Sequence, residues 1–185
     1  MIGALILIVV ILAVVVFGCI GIYNGLVASR RDCDNALSQI DVQLKRRYDL
    51  IPNLVETVKG YMKFESDTLE KVIQARNLAL GAKSVGEKSA ADAQVTTALN
   101  GFFAVAEAYP DLKSSANMLS LQEELKSTEN KVAYARQYYN DAVTRLNTKI
   151  EQFPGSIFAG MGGFKAKELF ELDEPAARES IKVQF

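Results

Sequence analysis

The chain has 185 residues, enough for one domain of ordinary size with a single core. Its 21 basic and 22 acidic residues leave a net charge of -1, which excludes the basic field that nucleic-acid-binding domains need. Histidine is absent, so the commonest neutral metal ligand and the usual general base are missing, and no cofactor is expected. Cys19 and Cys33 are interpreted as packing residues, with solvent access to Cys33 left open.

The first element is an apolar segment. Residues 2–22 are all apolar or glycine, and the first charged side chain is Arg30. About 20 such residues can cross a bilayer as one helix, which satisfies its own backbone hydrogen bonds. We therefore predict a transmembrane anchor over residues 1–29. A cleaved signal peptide is the weaker alternative because basic residues normally precede its apolar stretch, and residues 16–19 resemble a lipoprotein processing box only loosely.

The basic residues nearest to this segment all follow it. They are Arg30 and Arg31, then Lys45, Arg46 and Arg47. Lys and Arg close to a span tend to remain on the cytoplasmic side. The expected orientation has the N-terminus outside the cell and the C-terminal domain in the cytoplasm.

A long amphipathic helix is predicted after the anchor. Apolar residues recur three or four positions apart, the spacing of one helix face, at Leu37, Ile40, Leu44, Tyr48, Ile51, Val55, Val58 and Met62. No strong breaker separates this pattern from the anchor, and the pattern resumes between residues 69 and 80. Pro52 lacks a backbone N–H, which predicts a bend near residues 48–53. A static bend is favoured over a moving hinge.

Residues 81–92 have the composition of a loop, being rich in Gly, Ser, Ala and Lys. A shorter helix is predicted from Ala93 to about Tyr109, because a residue that precedes proline is biased away from the helical region. Asp111 or Ser114 is expected to cap the helix that follows.

The last long helix has the most regular apolar pattern, with the alternating steps of three and four that coiled coils show. Its positions are Met118, Leu121, Leu125, Thr128, Val132, Ala135, Tyr139, Ala142, Leu146 and Ile150. Phe153-Pro154 and the glycine-rich residues 155–163 are predicted to end it. The alternation at residues 181, 183 and 185 indicates a covering segment or short strand in the tail.

The resulting fold class is all-α. We expect one N-terminal transmembrane helix, then an antiparallel bundle of three to four long helices with a partly irregular tail. The domain scheme is an anchor at residues 1–29, a bundle at residues 30–153, and a tail at residues 154–185 that docks on the bundle or on an oligomer.

No residue pattern indicates catalysis. Most charged side chains face an opposite charge three or four positions away, as Lys45 and Asp49 do, and each such pair contributes only about 0.2–0.5 kcal/mol. Glu123 and Glu124 are adjacent and therefore diverge around their helix. No serine, cysteine or histidine stands in a nucleophile motif. The chain is expected not to be an enzyme.

One polar block is denser in charge than folding requires, and we interpret it as the candidate contact surface. It comprises Asp41, Lys45, Arg46, Arg47, Asp49, Asn53, Glu56 and Lys59. Asparagine is a mediocre helix former, and a buried one can fix helix register. Asn130 and Asn140 are the candidates, and alanine at either is expected to cost more stability than alanine at Asn147.

Several segments, taken in order, resemble the LemA family. They are residues 23–27, 40–61, 107–113, 121–125, 128–130, 135–136, 139–143 and Phe153-Pro154. Two positions depart from the family pattern: Phe64, where histidine is frequent, and Leu146, where tyrosine is frequent. The resemblance implies a bacterial protein with one span and a helical bundle, without a defined activity; one relative takes part in building magnetosome membranes. It supplies no catalytic residues.

The leading hypothesis is a scaffold in the bacterial cytoplasmic membrane that self-associates or organises other membrane proteins or membrane shape. Its expected partners are the lipid bilayer, further copies of the chain and other membrane proteins. Anchoring confines copies to two dimensions, which converts weak contacts into avidity. The alternatives are a regulatory or sensory adaptor, in which the Pro52 bend couples the span to a cytoplasmic partner, and a lipid-modifying or hydrolytic enzyme.

Overall fold

A computed structural model describes residues 2–61 and 66–170 of the chain. It contains the helices α1 (Ile2–Val58), α2 (Ser66–Gly81), α3 (Val85–Ala106), α4 (Pro110–Lys113), α5 (Ala116–Glu151) and α6 (Gly155–Met161). Within these described ranges no residue belongs to a strand. The all-α prediction, with a long apolar helix at the N-terminus followed by a helical bundle, is confirmed.

α1 is one helix of 57 residues. It contains both the apolar segment and the predicted amphipathic stripe from Leu37 to Val58, so the expectation that no breaker separates them is confirmed. Met62, the last position of the predicted stripe, lies outside the described residues. The apolar part is long and hydrophobic enough to cross a membrane, and its most apolar stretch is not buried at all. Pro52 lies inside the helix, which continues to Val58. The bend near Pro52 stays a prediction.

The chain divides into two compact units, and α1 and α5 contribute to both. The first unit takes residues 2–39 and 135–169. Its buried side chains include Leu26, Cys33 and Ala36 of α1, Tyr139, Ala142, Val143 and Leu146 of α5, Ala159 of α6, and Phe164. Tyr139, Ala142 and Leu146 belong to the apolar stripe predicted for the last long helix. The buried α1 positions of this unit lie before Leu37, where the predicted α1 stripe begins.

The second unit takes the described residues from 40 to 134 together with Phe170. Its core is built from one face each of α1, α2, α3 and α5, with Leu112 of α4 added. Its members include Ile40, Tyr48, Ile51, Leu54, Val58, Val72, Leu99, Phe102, Leu125 and Val132. Most of the α1 and α5 members belong to the two stripes predicted from the sequence.

The predicted loop at residues 81–92 is wrong in length. α2 ends at Gly81 and α3 begins at Val85. Ser84 accepts a hydrogen bond from the backbone N–H of Glu87, and the Glu87 side chain accepts one from the backbone of Ser84, which is a capping box. This reciprocal pair satisfies two donors at the helix start. The capping box therefore allows α3 to begin inside residues 81–92, although their composition is typical of a loop.

Two further predictions about helix ends are corrected. Neither Asp111 nor Ser114 caps the next long helix, because both belong to the short α4 region and α5 begins only at Ala116. α5 ends at Glu151, as Phe153-Pro154 predicted, but residues 155–161 of the glycine-rich stretch then form α6. Gly155 is buried, and a Cβ built on it would lie 2.3 Å from the Lys149 carbonyl oxygen. Only glycine allows that close approach.

The segment after α6 is irregular from Phe164 to Phe170, and both of these phenylalanines are buried. This agrees with the predicted irregular start of the tail. The alternation at residues 181, 183 and 185 lies outside the described residues. The domain scheme of residues 1–29, 30–153 and 154–185 stays a prediction.

Candidate contact surface and the polar clusters of the bundle

The candidate contact surface lies on α1, in the second unit. Asp41, Lys45, Arg46, Asp49, Asn53, Glu56 and Lys59 are all exposed. Arg47 is the exception, since only 3% of this residue is exposed. Arg47 therefore belongs to the interior of the second unit rather than to its surface.

Arg47 is held by a polar cluster between α1 and α3. Its Nη1 donates to the two carboxylate oxygens of Asp92 at 3.1 and 3.3 Å and to Thr96 Oγ1 at 3.1 Å. The hydroxyl of Tyr48 donates to the same Asp92 carboxylate at 3.2 Å. Glu129 of α5 adds a carboxylate oxygen 3.7 Å from Arg47 Nη2. The buried pair of Arg47 and Asp92 thus joins α1 to α3, and the half-exposed Glu129 of α5 lies at its edge.

The Arg47–Asp92 pair is almost completely removed from water, with side-chain exposures of 4% and 1%. Burying either charge alone costs several kcal/mol, and the partner together with further hydrogen bonds offsets that cost. Tyr48 and Thr96 supply such bonds. The cluster therefore ties α1 to α3 in one specific alignment.

A second polar contact explains how α1 accommodates Pro52. Proline has no N–H, so the carbonyl four residues earlier, that of Tyr48, loses its usual helical donor. Arg76 of α2 donates from Nε to this carbonyl oxygen at 2.9 Å. A side chain of the neighbouring helix thereby replaces the missing backbone hydrogen bond.

The exposed members of the candidate surface form pairs of a different kind. Lys45 Nζ lies 2.9 Å from Asp49 on the surface of α1, and Nζ of Lys59, just after the helix, lies 2.7 Å from Glu56. Asp41 pairs with Lys88 of α3 at 2.6 Å rather than with Lys45. Exposed pairs of this kind contribute about 0–1 kcal/mol. They leave the surface polar and nearly neutral.

The asparagines considered in the sequence analysis differ in exposure. Asn130 is exposed and Asn140 is half-buried. Asn147 instead makes a reciprocal pair with the backbone of Lys167, accepting from its N–H at 2.9 Å and donating to its carbonyl at 2.9 Å. The ranking of Asn130 above Asn147 in stability stays a prediction, and these two hydrogen bonds argue against it. Asn147 thus binds the irregular segment 164–170 to α5.

In the first unit, Asp32 of α1 joins two side chains of α5. The Tyr138 hydroxyl donates to one carboxylate oxygen at 2.8 Å, and Arg145 Nη2 donates to the other at 3.0 Å. The hydrogen bond from Tyr138, followed by that from Arg145, lowers the pKa of Asp32 below its ordinary value of 3.8. The same carboxylate raises the pKa of both Tyr138 and Arg145.

Cys33, whose access to solvent the sequence left open, is completely buried beside this cluster. Burial raises the pKa of its thiol above 9.0, since the thiolate would lose its hydration. Cys33 is therefore a packing residue with little thiolate character.

The carboxylates of these clusters connect neighbouring helices. Across residues 2–61 and 66–170, no group of three or more His, Cys, Asp and Glu side chains lies close enough to hold a metal ion. Asp92 and Asp32, the two most heavily bonded carboxylates described above, are each bonded to an arginine and a tyrosine. Both are thus occupied in holding helices together. Sequence reasoning missed them because their partners lie 45 and 113 residues away.

Fold and polar clusters together define an all-helical protein with an exposed apolar N-terminal helix and a charged, internally bonded bundle. Residues 36–185 match the model of the LemA family. The chain belongs to the LemA family, as the sequence resemblance implied.

Three curated relatives are similar to this chain. The chain is 31% identical to Protein LemA of Metamycoplasma hominis, over 74% of this chain and 63% of the relative. It is 25% identical to Magnetosome protein MamQ 2 of Paramagnetospirillum magneticum and to Magnetosome protein MamQ of Magnetospirillum gryphiswaldense. Each of these two alignments covers 86% of this chain and 68% of the relative. The chain therefore spans less than two thirds of the length of the Metamycoplasma relative.

Proposed function

We propose that this chain is a membrane-anchored, non-enzymatic scaffold whose helical bundle self-associates or organises other membrane proteins or membrane shape. The anchor is the apolar part of α1, held in the bacterial cytoplasmic membrane. The N-terminus lies outside the cell and the bundle lies in the cytoplasm.

The exposure of the apolar helix carries this proposal. Every side chain from Ile2 to Ile20 is exposed except that of Cys19, which is half-buried. The core helix of a soluble protein would be covered by its neighbours, whereas an apolar surface of this size needs a lipid or protein partner. The run of about 20 residues matches the thickness of the hydrocarbon core.

The surface charge supports a binding role over a catalytic one. Arg46 and Asn53 lie exposed on α1, between the ion pairs of the candidate contact surface. Mixed charges with little net field favour specific, short-range contacts between copies over attraction of a highly charged ligand. The names of the MamQ relatives, magnetosome proteins, are also in keeping with the organisation of a cellular structure.

Cross-linking in native membranes, followed by sizing of the detergent-extracted full-length protein, tests the scaffold. The contact variant combines Arg46→Glu with Asn53→Glu, which places two negative charges on the candidate surface. The matched control combines Lys126→Glu with Asn130→Glu, which makes the same changes of charge at exposed positions of α5.

We expect homo-oligomers for the unaltered protein and the control, and a smaller species for the contact variant. A monomer in all three samples would contradict self-association. Oligomers of equal size in all three would show that the candidate surface is not the contact.

A regulatory adaptor is the second candidate, and one observation favours it. The same helix, α1, contains both the apolar segment and Arg47, the residue that is bonded to α3. A partner that binds the bundle at α1 therefore contacts the same helix that forms the membrane span. A stoichiometric complex with a signalling protein in the cross-linking experiment, in place of homo-oligomers, would support the adaptor.

A further inference from the structure

The turn between α5 and α6 lies beside the end of the apolar segment of α1. A groove of about 430 Å³ separates them, lined by α1 residues including Gly18, Gly21 and Ile22 and by Gln152 and Pro154 from the turn. The other end of α6 reaches the same part of α1, since a Cβ built on Gly162 would lie 3.0 Å from the Tyr23 ring. The whole of α6 therefore runs alongside residues 18–26.

The two sides of α6 differ in what they contact. Ala159 and Phe158 pack toward α1, in a cluster with Leu26. Ile157 and Met161, four residues apart on another side of α6, are 52% and 81% exposed. Phe153, in the turn before the helix, is 81% exposed. Three large apolar side chains thus remain uncovered next to the apolar segment.

The part of α1 that lies beside these three side chains indicates what covers them. A hydrocarbon core about 30 Å thick takes up about 20 residues of helix, so residues 2–22 fill it and residues 18–26 lie at its edge. Neither residues 18–26 nor residues 153–163 contain a charged side chain. Residues 18–26 and 153–163 therefore form one uncharged strip at the same depth in the bilayer.

The charges that border this strip are mainly basic, as at a membrane surface. They are Arg30, Arg31, Lys149 and Lys165, with Glu151 as the acidic member. Lys149 Nζ donates to Ser29 Oγ at 2.8 Å, and the Arg30 guanidinium lies 4.9 Å from the centre of the Phe164 ring. Aromatic and basic side chains thus surround the C-terminal end of the apolar segment, where lipid headgroups would lie.

We propose that Phe153, Ile157 and Met161 insert into the membrane interface beside the span, as a second contact of this chain with lipid. The occupant is the glycerol and upper acyl region of the same bilayer that α1 crosses. The proposal rests on the membrane anchor of the proposed function, but it needs neither self-association nor a protein partner.

The absence of tryptophan from the chain provides a clean test. Met161→Trp and Ile157→Trp each introduce a single fluorescent reporter into the full-length protein. Gln137→Trp is the control, exposed on α5 about 20 Å before the end of that helix. Each variant is reconstituted into vesicles of phosphatidylcholine and phosphatidylglycerol. Bromine atoms are placed either on the upper acyl carbons or near the chain ends.

We expect blue-shifted emission for both α6 reporters, with fluorescence lost mainly to the upper acyl bromines, because interfacial helices lie about 5–10 Å below the headgroups. The Gln137→Trp variant should show neither effect.

Emission from the α6 reporters that matches the control would overturn the proposal. A blue shift without bromine quenching would also overturn it, because it would mean burial against a second copy. If the protein failed to float with the vesicles, the anchor and this proposal would both fail; unquenched reporters in floating protein refute the lipid contact of α6 alone.

Discussion

At the scale of single residues, the Arg47–Asp92 pair shows how a position that looks like surface becomes interior. Arg47 belongs to a charged block, yet it stands three residues after Leu44 and four before Ile51, on the buried face of α1. That spacing was a usable signal. Its partner, Asp92, could not be predicted, because it comes from another helix 45 residues away.

Removing one partner of this pair should be costly. We expect Asp92→Ala to lower the free energy of unfolding by about 3–5 kcal/mol, because the Arg47 charge stays buried without its main acceptor. Denaturant unfolding of the full-length protein in detergent, followed by circular dichroism, measures the loss. Asp49→Ala, which breaks the exposed pair with Lys45, is the control and should cost no more than about 1 kcal/mol.

An apolar replacement of both partners distinguishes burial of charge from loss of packing. The double variant Arg47→Met with Asp92→Leu removes both charges and should recover much of the stability lost in Asp92→Ala. If the double variant were less stable than the single one, packing rather than charge would explain the cost.

The contact between Arg76 and the Tyr48 carbonyl predicts a dependence on Pro52. Arg76→Met should cost about 1–3 kcal/mol, since it leaves a partly buried carbonyl without a donor. In a Pro52→Ala background the cost should be smaller, because the N–H of alanine can donate to the same carbonyl. A double-mutant cycle measures this coupling. Equal costs in the two backgrounds would refute the role assigned to Arg76.

The lowered pKa of Asp32 predicts a loss of stability in acid. The folded pKa lies below 3.8, so the contribution of the carboxylate is fully present above the unfolded value and is lost as the pH falls through the folded pKa. The difference in unfolding free energy between the unaltered protein and Asp32→Asn should therefore be constant near neutral pH and shrink below about pH 4. A difference that grew in acid would contradict this assignment.

At the scale of elements, apolar periodicity predicted the long helices and much of their buried faces. It failed where short-range chemistry decides the structure. Composition predicted a loop at residues 81–92, whereas the Ser84 and Glu87 capping box starts a helix there. Glycines predicted a simple end after Phe153-Pro154, whereas Gly155 permits the tight packing from which α6 begins. Helix ends depend on single hydrogen bonds and close approaches, which periodicity does not record.

The irregular segment after α6 depends on Asn147. Asn147→Ala should cost about 1–3 kcal/mol, because it removes both hydrogen bonds to the Lys167 backbone. Asn130→Ala is the matched control, and its exposed side chain should cost less than about 0.5 kcal/mol. Thermal unfolding of both variants compares them directly. A larger loss at Asn130 would confirm the ranking expected from the sequence.

At the scale of the whole molecule, the proposed topology makes a prediction about proteolysis. With the bundle in the cytoplasm, protease added to intact spheroplasts should leave residues 30–185 undigested, and digestion should follow only after the membrane is opened. An antibody against the bundle detects the product by immunoblotting. A periplasmic protein serves as the control for protease activity. Digestion of the bundle in intact spheroplasts would reverse the orientation.

The bond between Arg76 and the Tyr48 carbonyl also has a consequence for how this family changes over time. Pro52 removes one backbone donor from α1, and Arg76 of α2 supplies a donor in its place, so we expect the two positions to change together. A descendant that lost the proline would no longer select for arginine at position 76, and a descendant that lost the arginine first would be under pressure to discard the proline. The two sites are expected to covary, with the proline rarely found where the arginine is gone.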